Sequence, residues 1–348
     1  MAKRSKRRAS RGRSSGARSG GGAARPRAQT AGRDRRTGAD APRGRLRLFL
    51  RAAGAPFWSA SALAVAVGST LPFWLRPDGF RFGLLHSIEA LVGIVLIHAG
   101  ADLANEYYDF GADVRNPNRG DLSGGSGALP DGAIEARFIR TCFIICFALG
   151  AAIGLHLNSV TPGNTILLLG VLGVLGGYFY SAPPLRLCYR GLGEIVLGFC
   201  FGVLPILGAY YVQAHEIGWR VVLASLPLTF AIVTVLWINQ IPDVAPDRDA
   251  GKRTLVVLLG PRVSARVVLP VLVTLVFLSL FAGAFTGSVI PLALVAVLAF
   301  GLARTVVADA WNHYDEPSRL VEAQHSALRL HLAFGLIMAL SALAAMGN

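Results

Sequence analysis

The sequence predicts an all-α, polytopic membrane protein of nine transmembrane helices. Of its 348 residues, 53% are hydrophobic and 16% charged, whereas a soluble domain carries about a quarter charged residues. Apolar runs of about twenty residues recur along the chain, the length an α-helix needs to cross about 30 Å of hydrocarbon. The charge is also unevenly placed. Net charge is +14, yet residues 1–51 hold 17 Lys and Arg against only Asp34 and Asp40, so the rest of the chain is close to neutral.

From Met1 to about Pro42 the chain is rich in Arg, Gly, Ser and Ala and almost free of apolar residues. Such a segment buries too little surface to offset its ordering entropy. Residues 1–45 are therefore expected to be a disordered basic cytoplasmic tail, and residues 46–348 the transmembrane domain. An Arg/Gly-rich arm also suits RNA or DNA. Control of topology by the positive-inside rule and contact with anionic membrane lipid account for it more simply, and no specific nucleic-acid partner is expected. A cleaved signal peptide is not expected, because no short apolar stretch with a small-residue cleavage site follows the basic region.

Apolar runs place spans near 57–75, 84–106, 137–157, 164–182, 191–212, 219–241, 262–283, 287–306 and 327–346. The loops near 158–163 and 284–287 are short and uncharged, and those near 76–83 and 213–219 carry few charges. Loops 107–136, 183–190, 242–261 and 307–326 hold most of the remaining Arg, Lys, Asp and Glu. With the tail in the cytoplasm, all four polar loops fall on that side. Nine spans then put Asn348 outside a cell membrane crossed many times. Cys142, Cys146, Cys188 and Cys200 form no CxxC and no Cys/His cluster, so neither a disulfide framework nor a zinc site is expected.

Two polar clusters interrupt this pattern. The first runs Asn105-Glu106-Tyr107-Tyr108-Asp109-Phe110-Gly111-Ala112-Asp113, and the second runs from Asn239 through Asp243 to Asp247 and Asp249. Each sets an Asn and two Asp at i, i+4 and i+8, a spacing that keeps all three on one face of an α-helix. Each begins where an apolar span ends. Asn and Asp also cap helices, and one NxxxD would be read that way; two copies of identical spacing are hard to explain by capping.

Carboxylates at the end of an apolar span are costly unless they pair or bind a cation. Two such clusters facing one cavity would repel each other, and hard divalent ions relieve this. Mg²⁺ keeps octahedral oxygen coordination, usually through one or two carboxylates plus substrate phosphates. A diphosphate at the polar rim, with a hydrocarbon tail along apolar walls, fits the arrangement. Lys252 and Arg253 follow the second cluster and suit a diphosphate that carries more charge than its metals neutralise. Tyr180, Ser181 and Arg186 close the fourth span on the same side.

These residues resemble the UbiA superfamily of intramembrane aromatic prenyltransferases. The likeness covers nearly the whole chain after about residue 45: nine spans, paired NxxxDxxxD motifs, and the stretch Tyr180-Ser181-Ala182-Pro183-Pro184-Leu185-Arg186-Leu187. It implies a bundle of nine helices around a lipid-accessible cavity with a cytoplasmic polar cap, and a polyprenyl diphosphate bridged by Mg²⁺, two ions on charge grounds. Asn105, Asp109 and Asp113 look like the first metal motif, and Asn239, Asp243 and Asp247 like the second. Lys252 is similar to the family's diphosphate-binding cation, and Tyr180 and Ser181 resemble its tyrosine–serine pair near the prenyl diphosphate. Asn239 to Leu255, ending Ala-Gly-Lys-Arg-Thr-Leu, is similar to 1,4-dihydroxy-2-naphthoate prenyltransferases of menaquinone biosynthesis. Other aromatic acceptors, such as 4-hydroxybenzoate or chlorophyllide, remain alternatives, since Tyr180–Leu187 is as much like the chlorophyll synthase branch.

The resemblance implies ionisation of an allylic diphosphate, with capture of the cation by an electron-rich aromatic carbon. Asp109, Asp113, Asp243, Asp247 and Lys252 are the candidate catalytic residues. Tyr108, with Tyr107, is a candidate to face the cation or to sit in the interfacial belt. Where relatives commonly carry an Arg in the first loop, this chain has Gly127; Arg119 is the expected substitute, with Arg115 and Arg186 as alternatives. An ion-coupled transporter is the rival class, but its sites usually lie near the midplane, whereas here the acids gather at one rim.

Overall fold

The computed structural model describes residues 42–117, 122, 125–284 and 290–345, and the described residues hold helices and no strand. In chain order they are α1 (Pro42–Ala52), α2 (Trp58–Leu75), α3 (Leu84–Tyr108), α4 (Phe110–Asp113), α5 (Ala136–Val160), α6 (Thr165–Phe179), α7 (Gly193–Gly198) and α8 (Leu204–Ala214). There follow α9 (Trp219–Gln240), α10 (Val244–Asp249), α11 (Leu255–Leu259), α12 (Pro261–Val263), α13 (Leu269–Ala284), α14 (Ile290–His313) and α15 (Val321–Ala344). A π-helical stretch, Phe199–Val203, fuses α7 to α8, and another, Ser264–Val268, fuses α12 to α13.

Among the described residues, seven helical segments are long and apolar enough to cross a membrane, from Ala55–Leu75 to Pro317–Ala344, and α6 is a shorter apolar helix of 15 residues. Helix α14 occupies the eighth predicted stretch. Helix α1 begins at Pro42, within the last residues of the stretch 1–45 assigned to the tail.

The main core lies where α2, α8, α9, α13 and α15 meet, around Leu71, Ile206, Leu228, Ile238 and Phe334. Close approach needs small residues, as it does between helices in lipid generally. A β-carbon on Gly202 would stand 2.4 Å from Thr229 of α9. By contrast Ile144, Leu149, Leu168, Leu175, Val271 and Leu278 are large, apolar and exposed, as befits helix faces turned to hydrocarbon.

Candidate active site

The two clusters open onto one cavity of about 300 Å³, lined by Asn105, Asp109, Asp113, Asn239, Asp243 and Asp247. Neither cluster is the continuous helix that its spacing predicts. Helix α3 ends at Tyr108, Asp109 is a junction residue at φ −91° and ψ 1°, and Asp113 closes the short α4. The second cluster breaks in the same way: α9 ends at Gln240, Asp243 stands at φ −93° and ψ 1°, and Asp247 lies on α10. Phase survives the break, because the Asp113 N–H still donates to Asp109 O (3.1 Å) and the Asp247 N–H to Asp243 O (2.9 Å). Each segment thus turns at the end of its long apolar helix while keeping its three oxygen-bearing side chains on the cavity.

Lys252 joins the two halves. Its Nζ lies 2.8 Å from Asp109 Oδ2 and 3.5 Å from Asp247 Oδ1. The chain leaves α10 through Gly251 at φ +80°, a left-handed conformation that favours glycine, and so returns Lys252 to the carboxylates. Thr254 then starts α11 by accepting the Val257 N–H, and Glu194 accepts the Leu255 N–H at 2.9 Å. Burial alone would lower the Lys252 pKa, but Asp109 and Asp247 outweigh it and hold the ammonium well above its ordinary value. Burial pushes the Asp113 carboxyl up to about 7; Lys252 opposes this, and Asp109, Glu106 and Asp247 add to it.

Tyr180 lines the cavity, and the buried Ser181 hydroxyl accepts a hydrogen bond from Asn105 Nδ2, which also donates to Asp109. Four expected contributors lie elsewhere. Arg186 is exposed and stacks 4.5 Å from the Tyr189 ring centroid, and Arg253 is exposed one residue past Lys252. Arg115 is exposed and donates from Nε back to Gly111 O. Tyr108 packs edge-on against Tyr107 and Tyr178, its hydroxyl 2.8 Å from that of Tyr178, outside the cavity lining. Arg119 lies outside the described residues.

Several cavity residues carried no signal in the spacing. Arg51 of α1 lines the cavity and donates to Gly125 O. Gly125 in turn sits against Asp113, which a β-carbon there would approach to 2.8 Å. Gly127, at φ +82°, holds a conformation that an arginine would adopt only with strain. Glu106 pins the same loop by accepting the Ser126 hydroxyl at 2.6 Å. Tyr189 donates its hydroxyl to Asp109 Oδ1 at 2.9 Å, and Asn116 reaches across from the first cluster to Asp243 Oδ1 at 2.9 Å.

Among the described residues, no three His, Cys, Asp or Glu side chains converge tightly enough to hold a metal alone. That suits Mg²⁺, which commonly takes one or two carboxylates and completes its shell with water and substrate phosphate. Among the described residues, the buried Asn239 Oδ1 has no hydrogen-bond partner, an acceptor that a cation would satisfy. The donor set fits a hard divalent ion shared with an anionic ligand.

Comparison with known proteins agrees with this geometry. A 2-carboxy-1,4-naphthoquinone phytyltransferase of Synechocystis sp. is 27% identical over 297 residues, 84% of this chain and 92% of that protein. A 1,4-dihydroxy-2-naphthoate octaprenyltransferase of Bacillus subtilis is 23% identical over 286 residues, 82% of this chain and 88% of that protein. The solved structure of a UbiA homolog from Archaeoglobus fulgidus, bound to DMAPP and Mg²⁺, shares the fold with a TM-score of 0.63. It is 17% identical, and the match covers 86% of this chain and 99% of that one. Residues 56–328 match the UbiA prenyltransferase family, a stretch that takes in both Asn/Asp clusters, Ser181 and Lys252, and the chain belongs to that family.

Proposed function

We propose that the protein transfers a polyprenyl group from an allylic polyprenyl diphosphate to 1,4-dihydroxy-2-naphthoate, giving demethylmenaquinol, the reduced form of demethylmenaquinone, in a Mg²⁺-dependent reaction. The observation that carries this reading is the single cavity in which both acid clusters and Lys252 meet above apolar walls that include Phe57, Val196, Leu197 and Phe201. The names of the Synechocystis and Bacillus relatives support a naphthoate acceptor. The same reading has nine spans in the cell membrane, with both clusters at the cytoplasmic rim and the C-terminus outside.

Asp109, Asp113, Asp243 and Asp247, with Asn105 and Asn239, would hold Mg²⁺. When bound, the metal supplies positive charge to the leaving diphosphate. Lys252 binds the same diphosphate and stabilises the charge that develops as the C–O bond breaks. Asn105 and Ser181, hydrogen-bonded to each other, orient that end of the substrate. The apolar walls keep water from an allylic cation that it would trap as an alcohol. The test is direct: purified protein in detergent with Mg²⁺, prenyl diphosphates and a panel of aromatic acceptors should yield the prenylated, decarboxylated naphthalenediol, identified by mass. Product from another acceptor alone would reject the naphthoate assignment.

Arg51 supplies the further cation in this scheme. Prenyl diphosphate, two Mg²⁺ and four carboxylates together leave an excess of negative charge that Lys252 alone does not cancel in a low-dielectric rim. Arg51→Ala should raise KM for the prenyl diphosphate about tenfold, the scale of one charge-assisted hydrogen bond. KM for the acceptor should move much less. Equal effects on both would place Arg51 elsewhere in the mechanism.

A further inference from the structure

Helix α3 carries a polar stripe that starts deeper than the first acid cluster. His98, Asp102, Asn105 and Asp109 follow one another at intervals of three or four residues, so they share a face that descends from the rim into the bundle. Asn105 and Asp109 belong to the diphosphate end. The two deeper residues form a separate chain: the His98 ring Nε2 lies 3.1 Å from Asp102 Oδ2, and Nδ1 lies 2.7 Å from the Ser61 hydroxyl on α2.

The exposures of this pair differ. The His98 side chain is 5% exposed and that of Asp102 33%. His98 is thus fixed from both ring nitrogens, while the carboxylate it orients fronts the main cavity. His98 also packs against Phe201, with ring centroids 4.6 Å apart. Both rings line the main cavity and a second, apolar cavity of about 130 Å³. Asp102 therefore stands where the polar chamber gives way to apolar wall. A carboxylate at this depth is costly to keep, and a buried histidine already joined to Ser61 does not need one.

The chemistry at that point is constrained. The reacting carbon of a prenyl diphosphate is bonded to the diphosphate oxygen, so the aromatic acceptor must lie immediately beneath the diphosphate site. Asp102 is three residues, roughly 4.5 Å of helix rise, beneath Asn105. Its charge repels the diphosphate and attracts a hydroxyl donor. We propose that Asp102, positioned by His98, is the group that receives the ring hydroxyl of the aromatic acceptor. This rests on the prenyltransferase reading above.

The step balances as follows. The hydroxyl proton passes to the Asp102 carboxylate as the neighbouring, carboxylate-bearing ring carbon bonds to the prenyl carbon. The C–O bond of the prenyl diphosphate breaks, and its electron pair leaves with diphosphate. The ring oxygen is then a carbonyl. Loss of CO₂ sends its bonding pair through the ring to that oxygen, which recovers the proton from Asp102. The hydroxyl is regenerated and no redox partner is needed.

Steady-state transfer with geranyl diphosphate, Mg²⁺ and 1,4-dihydroxy-2-naphthoate tests this. Asp102→Asn keeps the shape but not the basicity, and should lower kcat about a hundredfold, the scale of general base catalysis. Its Kd for geranyl diphosphate should change less than about threefold. His98→Gln, a positioning change, should act mainly on the acceptor, raising its KM with a smaller fall in kcat. The naphthoate methylated at the hydroxyl beside its carboxylate should compete with the natural acceptor on wild-type protein yet not be prenylated. That measurement needs no variant to fold. Wild-type kinetics in Asp102→Asn, or prenylation of the ether at the normal rate, would overturn the proposal. So would a loss of geranyl diphosphate affinity as large as the loss of kcat, which would assign Asp102 to the diphosphate. Failure of wild-type protein to prenylate any phenolic acceptor would instead reject the underlying reading, and the proposal with it.

Discussion

Asp109→Asn and Asp243→Asn will each cut the rate of prenyl transfer about 10²–10³-fold, and chelation with EDTA will abolish it. Each is the middle residue of its Asn-Asp-Asp set and sits at the helix break, as the junction between a long helix and a short one. Asp109 is 1% exposed and bonded to Tyr189, Asn105 and Lys252. The isosteric amide keeps the packing, so the variants should remain monodisperse in detergent while losing a charge that both metal and diphosphate binding require. The magnitude is that of removing one preorganised electrostatic contact from a transition state.

Metal loading should also depend on pH, with a sign fixed by Asp113. Without metal its carboxyl is pushed up to about 7 from an ordinary 3.8, chiefly by burial. Below that pH it carries a proton that must leave before it can ligate, so Mg²⁺ affinity should fall as pH drops below about 7. Calorimetry in buffers of different ionisation enthalpy should show proton release on Mg²⁺ binding near pH 6 and almost none above about pH 8. Full turnover in EDTA would reject the metal assignment.

Periodicity in the sequence made the helical stretches legible, because a membrane span is defined by length and apolarity alone. The paired clusters were legible too, since i, i+4, i+8 survives a broken helix as long as the backbone keeps its turn. The breaks themselves were marked unequally: Pro242 directly precedes Asp243, whereas near Asp109 only Gly111, two residues on, disfavours a helix. The cations were only partly legible. Lys252 and Arg253 are adjacent in sequence, yet one faces the carboxylates and the other is exposed, as neighbours on a tight turn must be. Arg51 lies 54 residues before the first cluster and 201 before Lys252, a juxtaposition that only tertiary packing creates. Tyr108 shows the converse: beside Asp109 in sequence, it is carried by helical rotation onto the face that packs with Phe143 and Tyr178.

Lys252→Ala should be the single most damaging change to the diphosphate end of the site, lowering kcat/KM for the prenyl diphosphate about 10³-fold. Its ammonium contacts acids from both halves of the site, with side chains 14%, 1% and 13% exposed for Lys252, Asp109 and Asp247. Screening by water is slight at such burial, and two charge-assisted contacts at about 1.5–3 kcal/mol each are lost. The same deletion leaves buried carboxylates without their counter-charge, a defect that costs about 3–5 kcal/mol when one partner of a buried pair is removed. The metal-free variant should therefore melt well below wild-type protein. Mg²⁺ should narrow that gap, because a divalent ion supplies to the carboxylates part of the charge that Lys252 provided. Lys252→Arg should restore stability better than turnover, since a planar guanidinium retains the charge but cannot occupy the compact position of an ammonium between two acids. If Lys252→Ala and wild-type protein melt alike without metal and turn over alike with it, the lysine does not bridge the two clusters.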